Sequence, residues 1–364
     1  MSPPAGPTGA PAVPAWSAVF PLAGMVAVAI ALAKAGTVGA VLSGTVLIGS
    51  VLAAVHHAEV VAHRVGEPFG TLVLAVAVTV IEVSLIVSLM ISGGAETTSL
   101  ARDTVFAAVM IIMNGIVGLC LWAGAVRHHE QAFSLSGVSA SLGVLAAMAV
   151  LSLVLPNFTT TAAGPVYSPS QLILVATVSL VLYGLFVLVQ TVRHRDYFLP
   201  AVDDPDAHAD PPTIRATWTA AALLVVALVA VVLLAKALSA RLEASVLAAG
   251  FPLTVVGVVI AGVVLAPEGL AAYRAAKRDR LQTSLNLALG SALASIGLTI
   301  PAVAIVSLVL DLPLALGIDA KGMTLLALSL FVAALSLGTG RTTVLQGAVH
   351  LVIFAVYLFT TVVP

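Results

Sequence analysis

Charge is what this chain has least of. Lys, Arg, Asp and Glu make up 9% of its 364 residues, against about 25% in a soluble domain. Together with a mean hydropathy of +1.16, this excludes an ordinary soluble fold, and no polar segment is long enough to form a domain of its own. Cysteine is nearly absent too: Cys120 is alone, which excludes an intrachain disulfide, and its apolar surroundings predict plain helix packing. No basic region precedes the first apolar run, so a cleaved signal peptide is not expected. The first 15 residues, uncharged and rich in Pro and Gly, read as a disordered tail.

What the chain has in abundance is apolar runs. A membrane-crossing helix needs roughly 20 apolar residues. On that measure there are eleven, near 16–34, 36–56, 68–92, 103–126, 134–155, 170–192, 214–236, 252–274, 283–309, 322–338 and 342–363. This predicts an all-α polytopic protein of the bilayer. With a cytoplasmic N-terminus, the inner connections hold ten Lys and Arg residues, including the run RAAKRDR at 274–280, and the outer ones hold five. The positive-inside rule therefore predicts N-terminus in and C-terminus out.

A Pro-rich acidic loop at 193–213 divides the chain. With span 16–34 set aside as an extra N-terminal helix, five spans lie in 36–192 and five in 214–364. An odd number of spans per half forces the halves into opposite orientations, the inverted-repeat plan of many secondary transporters. The mixed segments His56 to Gly66 and Leu242 to Gly250 occupy equivalent places and read as corners.

Glu82 and Glu268 are the isolated charges of equivalent spans, each about 15 residues beyond a Gly-x-Pro corner. At about 1.5 Å per residue they approach the midplane of a core about 30 Å thick. A charge at that depth costs at least about 2.5–3.5 kcal/mol, which marks both as candidate site residues. Each is followed by a span rich in small and polar residues. Asn114 is in the first, and Asn286, Ser291 and Ser295 are in the second. Amides and hydroxyls add oxygen ligands, although helix-packing hydrogen bonds are the alternative role for Asn114, Asn286 and Ser291.

The chain resembles the calcium:cation antiporter superfamily, and most of all its bacterial calcium–proton branch, which also moves sodium and potassium against protons. The residues that carry this are Ala58-Glu59-x-x-Ala62-x-x-x-Gly66-x-x-x-Gly70 with Glu82 twelve residues on, and Pro267-Glu268-Gly269 followed by Leu287-Ala288-Leu289-Gly290-Ser291-Ala292. The resemblance covers about 36–363. It implies ten core helices plus one, cation exchange at Glu82 and Glu268, and a place in the bacterial inner membrane. It implies no cofactor and no nucleic-acid partner; the partners are the bilayer, inorganic cations and protons. Eukaryotic-type relatives carry Gly-Asn before each glutamate, where this chain has Val78-Thr79 and Val264-Leu265. Thr79 then supplies a hydroxyl in place of an amide, and the choice among Ca2+, Na+ and K+ stays open.

The chemistry fits exchange. Two ionised carboxylates offer oxygen ligands to Ca2+. Without the ion they repel one another in a poorly solvated place and take up protons, so metal binding expels protons and couples the fluxes. His56, His57, Glu59 and His63 form a second cluster. On a helix, His56, Glu59 and His63 share a face, which permits zinc or cadmium. The other readings are cation entry, pH sensing and a solvated interfacial face. Asp203, Asp204 and Asp206 read as a solvated loop or a cytoplasmic cation sensor. An intramembrane hydrolase would need a nucleophile–base pair or a metal triad, and neither spacing is present.

Overall fold

The computed structural model describes residues 14–32, 36–66, 69–93, 98–199 and 212–363. Asp203, Asp204, Asp206 and Glu67 lie outside these, as does nearly all of the N-terminal tail. The described chain forms α1 (Ala15–Leu32), α2 (Thr37–Val65), α3 (Phe69–Gly93), α4 (Leu100–His128), α5 (Leu135–Phe158) and α6 (Pro169–Arg193). There follow α7 (Ile214–Ala248), α8 (Thr254–Lys277), α9 (Leu281–Leu310), α10 (Ala320–Leu337) and α11 (Val344–Val362). Among the described residues, nine helices have the length and apolarity to cross a membrane, and α1 and α3 contribute shorter apolar stretches. The protein is an all-α membrane protein, as the hydropathy predicts.

Two segments expected to be corners are helix. His56 to Val65 continues α2, and Leu242 to Ala248 continues α7. Polarity ends a hydropathy run, but it does not end backbone hydrogen bonding: His, Glu, Ala and Arg all continue a helix at little cost. The helices stop where the backbone turns left-handed, at Gly66 (φ 76°) and Gly250 (φ 78°). Only glycine takes that conformation without steric penalty. The two corners of the expected repeat are thus built alike.

The fold divides into two compact units. One contains α1, α2, α3 as far as Ile81, and α7 as far as Leu238. There α1 packs along α2, with Ala27, Val28 and Leu234 in a shared apolar core.

The other unit, Glu82–Asp203 with Ser239–Pro364, is organised by exchange between the halves. α4 packs on α11, and its counterpart α9 packs on α6. Both contacts are close enough to need glycine: a Cβ on Gly118 would lie 2.8 Å from His350 Cβ, and one on Gly297 2.8 Å from Tyr183 Cγ. The connections pair in the same reciprocal way. Gln131–Ala132, after α4, forms an antiparallel pair with Arg341–Thr342, before α11. Val166, before α6, bridges Ala315, after α9. Because successive helices alternate in direction, these two pairings lie at opposite ends of the unit. α6 and α11 also begin with the same device, a capping box of Ser168 with Gln171 and of Thr343 with Gln346. A repeated plan with reversed orientation produces every one of these correspondences.

Candidate cation site

α9 is the helix on which the site is assembled. Ser291, Ser295 and Thr299 recur every fourth residue, so they form one stripe along it. Ser295 Oγ donates to Glu82 Oε2 at 2.7 Å, and Ser291 Oγ donates to Glu268 Oε2. The two hydroxyls are one turn apart, about 6 Å along the axis. They bring carboxylates from the two halves to neighbouring positions, near enough for their charges to interact. Glu82 is 2% exposed, whereas Glu268 is half-buried. Pro267, just before Glu268 and inside α8, leaves the carbonyl one turn earlier without its helical partner.

The site is not fully satisfied. Glu82 Oε1 is buried without a hydrogen-bond partner, and so is Thr299 Oγ1, which lies within electrostatic reach of the same carboxylate without a well-formed hydrogen bond to it. Each such orphaned oxygen costs about 1–3 kcal/mol. Thr79 is buried and one turn before Glu82 on the same helix face.

The asparagines are engaged elsewhere. Asn114 lies in a π-helical turn, Ile111–Ile116, within α4. Its Nδ2 donates to Ser329 Oγ at 2.8 Å, and its Oδ1 is 3.3 Å from His350 Nδ1. His350 Nε2 in turn lies 2.8 Å from Ser336 Oγ. Asn286 donates to the Phe198 carbonyl at 2.6 Å and accepts from Gln282 at 2.9 Å. Of the four supporting residues expected, Ser291 is joined to a glutamate and Thr79 shares a helix face with one. Ser295, named from the sequence only as one polar residue of its span, bonds Glu82, and Thr299, not named there, lies within electrostatic reach of it. The signal that could have found them is the four-residue recurrence of hydroxyls.

The histidine cluster belongs to the other unit and points two ways. His57 is buried and donates from Nε2 to the Ser17 carbonyl at 2.8 Å, while His56 packs against Trp16, with ring centroids 5.4 Å apart. Glu59 and His63 are exposed. Among the described residues, no three His, Cys, Asp or Glu side chains converge on a metal position. Cys120 is buried and unpaired in α4, as helix packing predicts.

Known proteins resemble this chain in sequence and in fold. The family model for sodium/calcium exchanger proteins matches residues 35–192 and 219–363. The chain is 54% identical over 360 residues to "Putative ionic transporter y4hA" of Sinorhizobium fredii, covering 97% of each chain. It is 35% identical over 318 residues to the sodium-potassium/proton antiporter ChaA of Escherichia coli, covering 86% of each. Two solved structures share the fold. Native YfkE superposes with a TM-score of 0.73 at 16% identity, over 96% of this chain and 100% of that one. The H+/Ca2+ exchanger CAX superposes with a TM-score of 0.68 at 14% identity, over 94% and 89%. Proteins of this kind are multi-pass antiporters that move inorganic cations, not enzymes, and need no cofactor. The chain belongs to the sodium/calcium exchanger protein family.

Proposed function

We propose that this antiporter exchanges Ca2+ for protons at a site formed by Glu82 and Glu268, by alternating access. The observation that carries the reading is the stripe on α9, where adjacent serines hold carboxylates from opposite halves and one oxygen of Glu82 is left buried and unpartnered. With a cation bound, both carboxylates are ionised and act as ligands, with Ser291, Ser295 and Thr299 as neutral oxygens. As the cation leaves, two neighbouring negative charges in a poorly solvated place favour proton uptake. Each substrate thus displaces the other, which is the linkage an exchanger needs. By charge, one Ca2+ balances two protons. Thr79, Asn114 and Asn286 join as ligands in this reading only if a different step of the cycle turns them to the pair. The protein acts in the bacterial inner membrane with its N-terminus cytoplasmic, as the sorting of Lys and Arg supports.

A second reading, exchange of Na+ or K+ for protons, draws support from two observations. The relative that is 35% identical bears a sodium-potassium/proton name. The positions before the glutamates, Val78-Thr79 and Val264-Leu265, also lack amides, while Ca2+ takes about six to eight oxygen ligands. One experiment separates the readings: proton flux in everted vesicles, with Ca2+, Na+ and K+ added one at a time. The expected result is a response to Ca2+ that Glu82→Gln and Glu268→Gln each reduce by about a hundredfold or more. A response to Na+ or K+ alone selects the second reading. Near-normal exchange in either variant removes the glutamate pair from the mechanism.

A further inference from the structure

We infer that the α4–α8 face is a binding site for an anionic phospholipid. The site has two parts that meet at one side chain. At the C-terminal ends of α4 and α8, a cavity of about 530 Å³ is lined by Arg127, His128, Tyr273, Arg274, Lys277 and Arg278. Among the described residues, no carboxylate lines it. The nearest acids in sequence are engaged elsewhere: Asp279 accepts from Gln131 Nε2 at 2.8 Å, and Glu130 faces Arg341 at 3.5 Å. His128 is tied to the Lys277 carbonyl at 3.1 Å, which fixes the two helix ends to one another. Lys277 Nζ sits 5.5 Å from the centre of the Tyr273 ring.

Tyr273 also closes one end of an apolar groove of about 520 Å³ on the same face, lined by Leu119, Gly262, Leu270 and Phe354 among others. Its wall holds no polar side chain except the tyrosine. Both volumes lie within the ~300–1,000 Å³ typical of ligand pockets. At about 1.5 Å per residue, the groove runs from about 6 Å (Leu270) to about 18 Å (Gly262) beyond Arg274 along α8. That is the depth at which acyl chains lie beneath a headgroup phosphate in a core about 30 Å thick. A soluble phosphate would use the cationic cavity and leave the groove bare. A neutral lipid would use the groove and leave Arg127, Arg274 and Lys277 without a counter-charge among the described residues. A phospholipid with net negative charge satisfies both, and basic clusters at the cytoplasmic ends of transmembrane helices are the recognised chemistry for such headgroups. This site is separate from the glutamate pair and does not depend on which cation is carried.

The test uses the full chain, purified in detergent, with native mass spectrometry reading bound lipid. Phosphatidylglycerol and phosphatidylcholine are offered at equal concentration, with inorganic phosphate as a competitor in a separate arm. The expected result is at least tenfold greater retention of phosphatidylglycerol. R274Q/K277Q should lose that preference, and R274K/K277R, which keeps both charges, should retain it. Gly262→Leu gives an independent arm: a Cβ there meets nothing within 4 Å, so leucine fills the groove without disturbing the helices, and retention should drop at least threefold. Four results overturn the proposal: equal retention of the two lipids, undiminished retention in R274Q/K277Q, loss in the charge-keeping pair as well, or displacement of phosphatidylglycerol by millimolar inorganic phosphate.

Discussion

α4 and α9 hold equivalent places in the two halves, yet they use their polar residues in opposite ways. α9 directs Ser291 and Ser295 to the two glutamates. α4 directs Asn114 away from them, into a chain that runs through Ser329, His350 and Ser336. The difference begins in the backbone. The stripe on α9 is spaced at four residues, so hydroxyls stay on one face of an unbroken helix. In α4 the π turn at Ile111–Ile116 inserts an extra residue, and the face that Asn114 would share with its neighbours rotates. An inverted repeat thus supplies two frames, but the hydroxyls bonded to both carboxylates come from one.

The largest effect that tests this contrast is on cation affinity. Ser291→Ala with Ser295→Ala removes two hydroxyls bonded to carboxylates, each worth about 1.5–3 kcal/mol. The cation concentration for half-maximal exchange should rise at least about thirtyfold. Asn114→Ala should move it by no more than about threefold. Equal shifts in the two variants, measured in everted vesicles, would mean that α4 contributes ligands after all.

A smaller effect, on stability, sharpens the same contrast from the other side. Asn114, Ser329 and His350 are all fully buried. Asn114→Ala leaves Ser329 and His350 short of a partner, at about 1–3 kcal/mol. Thermal unfolding of the detergent-solubilised protein should show Asn114→Ala well below the parent, while Ser291→Ala, beside a half-buried carboxylate, stays closer to it. A variant at Asn114 as stable as the parent would remove the structural role assigned to this amide.

Much of this was legible in the sequence, and the parts that were not share a cause. Hydropathy locates the eleven helices of the described residues because a bilayer leaves the backbone no alternative to helix or closed barrel. It misplaces the ends of α2 and α7, since helices end at a backbone conformation, here Gly66 and Gly250, and not where apolarity fades. Glu82 and Glu268 are visible because a charge amid apolar residues is expensive. Ser295 and Thr299 are not visible in that way: a hydroxyl in a membrane helix costs little, because it can bond the carbonyl one turn back, as Thr104 does to Leu100 at 2.8 Å. Only spacing distinguishes a hydroxyl that bonds a carboxylate from that ordinary state. The turning of Asn114 toward α10 and α11 depends on a π turn that composition does not announce.

The smallest effect tests the symmetry on which the contrast rests. α6 and α11 open with matching capping boxes, in which Ser168 Oγ donates to Gln171 Oε1 at 3.0 Å and Thr343 Oγ1 donates to Gln346 Oε1 at 3.1 Å. If the halves are equivalent frames, Ser168→Ala and Thr343→Ala should each cost about 1 kcal/mol and lower the unfolding temperature by nearly the same amount. Neither should alter the half-maximal cation concentration, because each cap lies at a helix end, remote in sequence from the α9 stripe. A pronounced inequality between the two would place the asymmetry of the molecule in its scaffold. Equal losses would confine it to the interior faces of α4 and α9, where one helix keeps its register and the other gives it up.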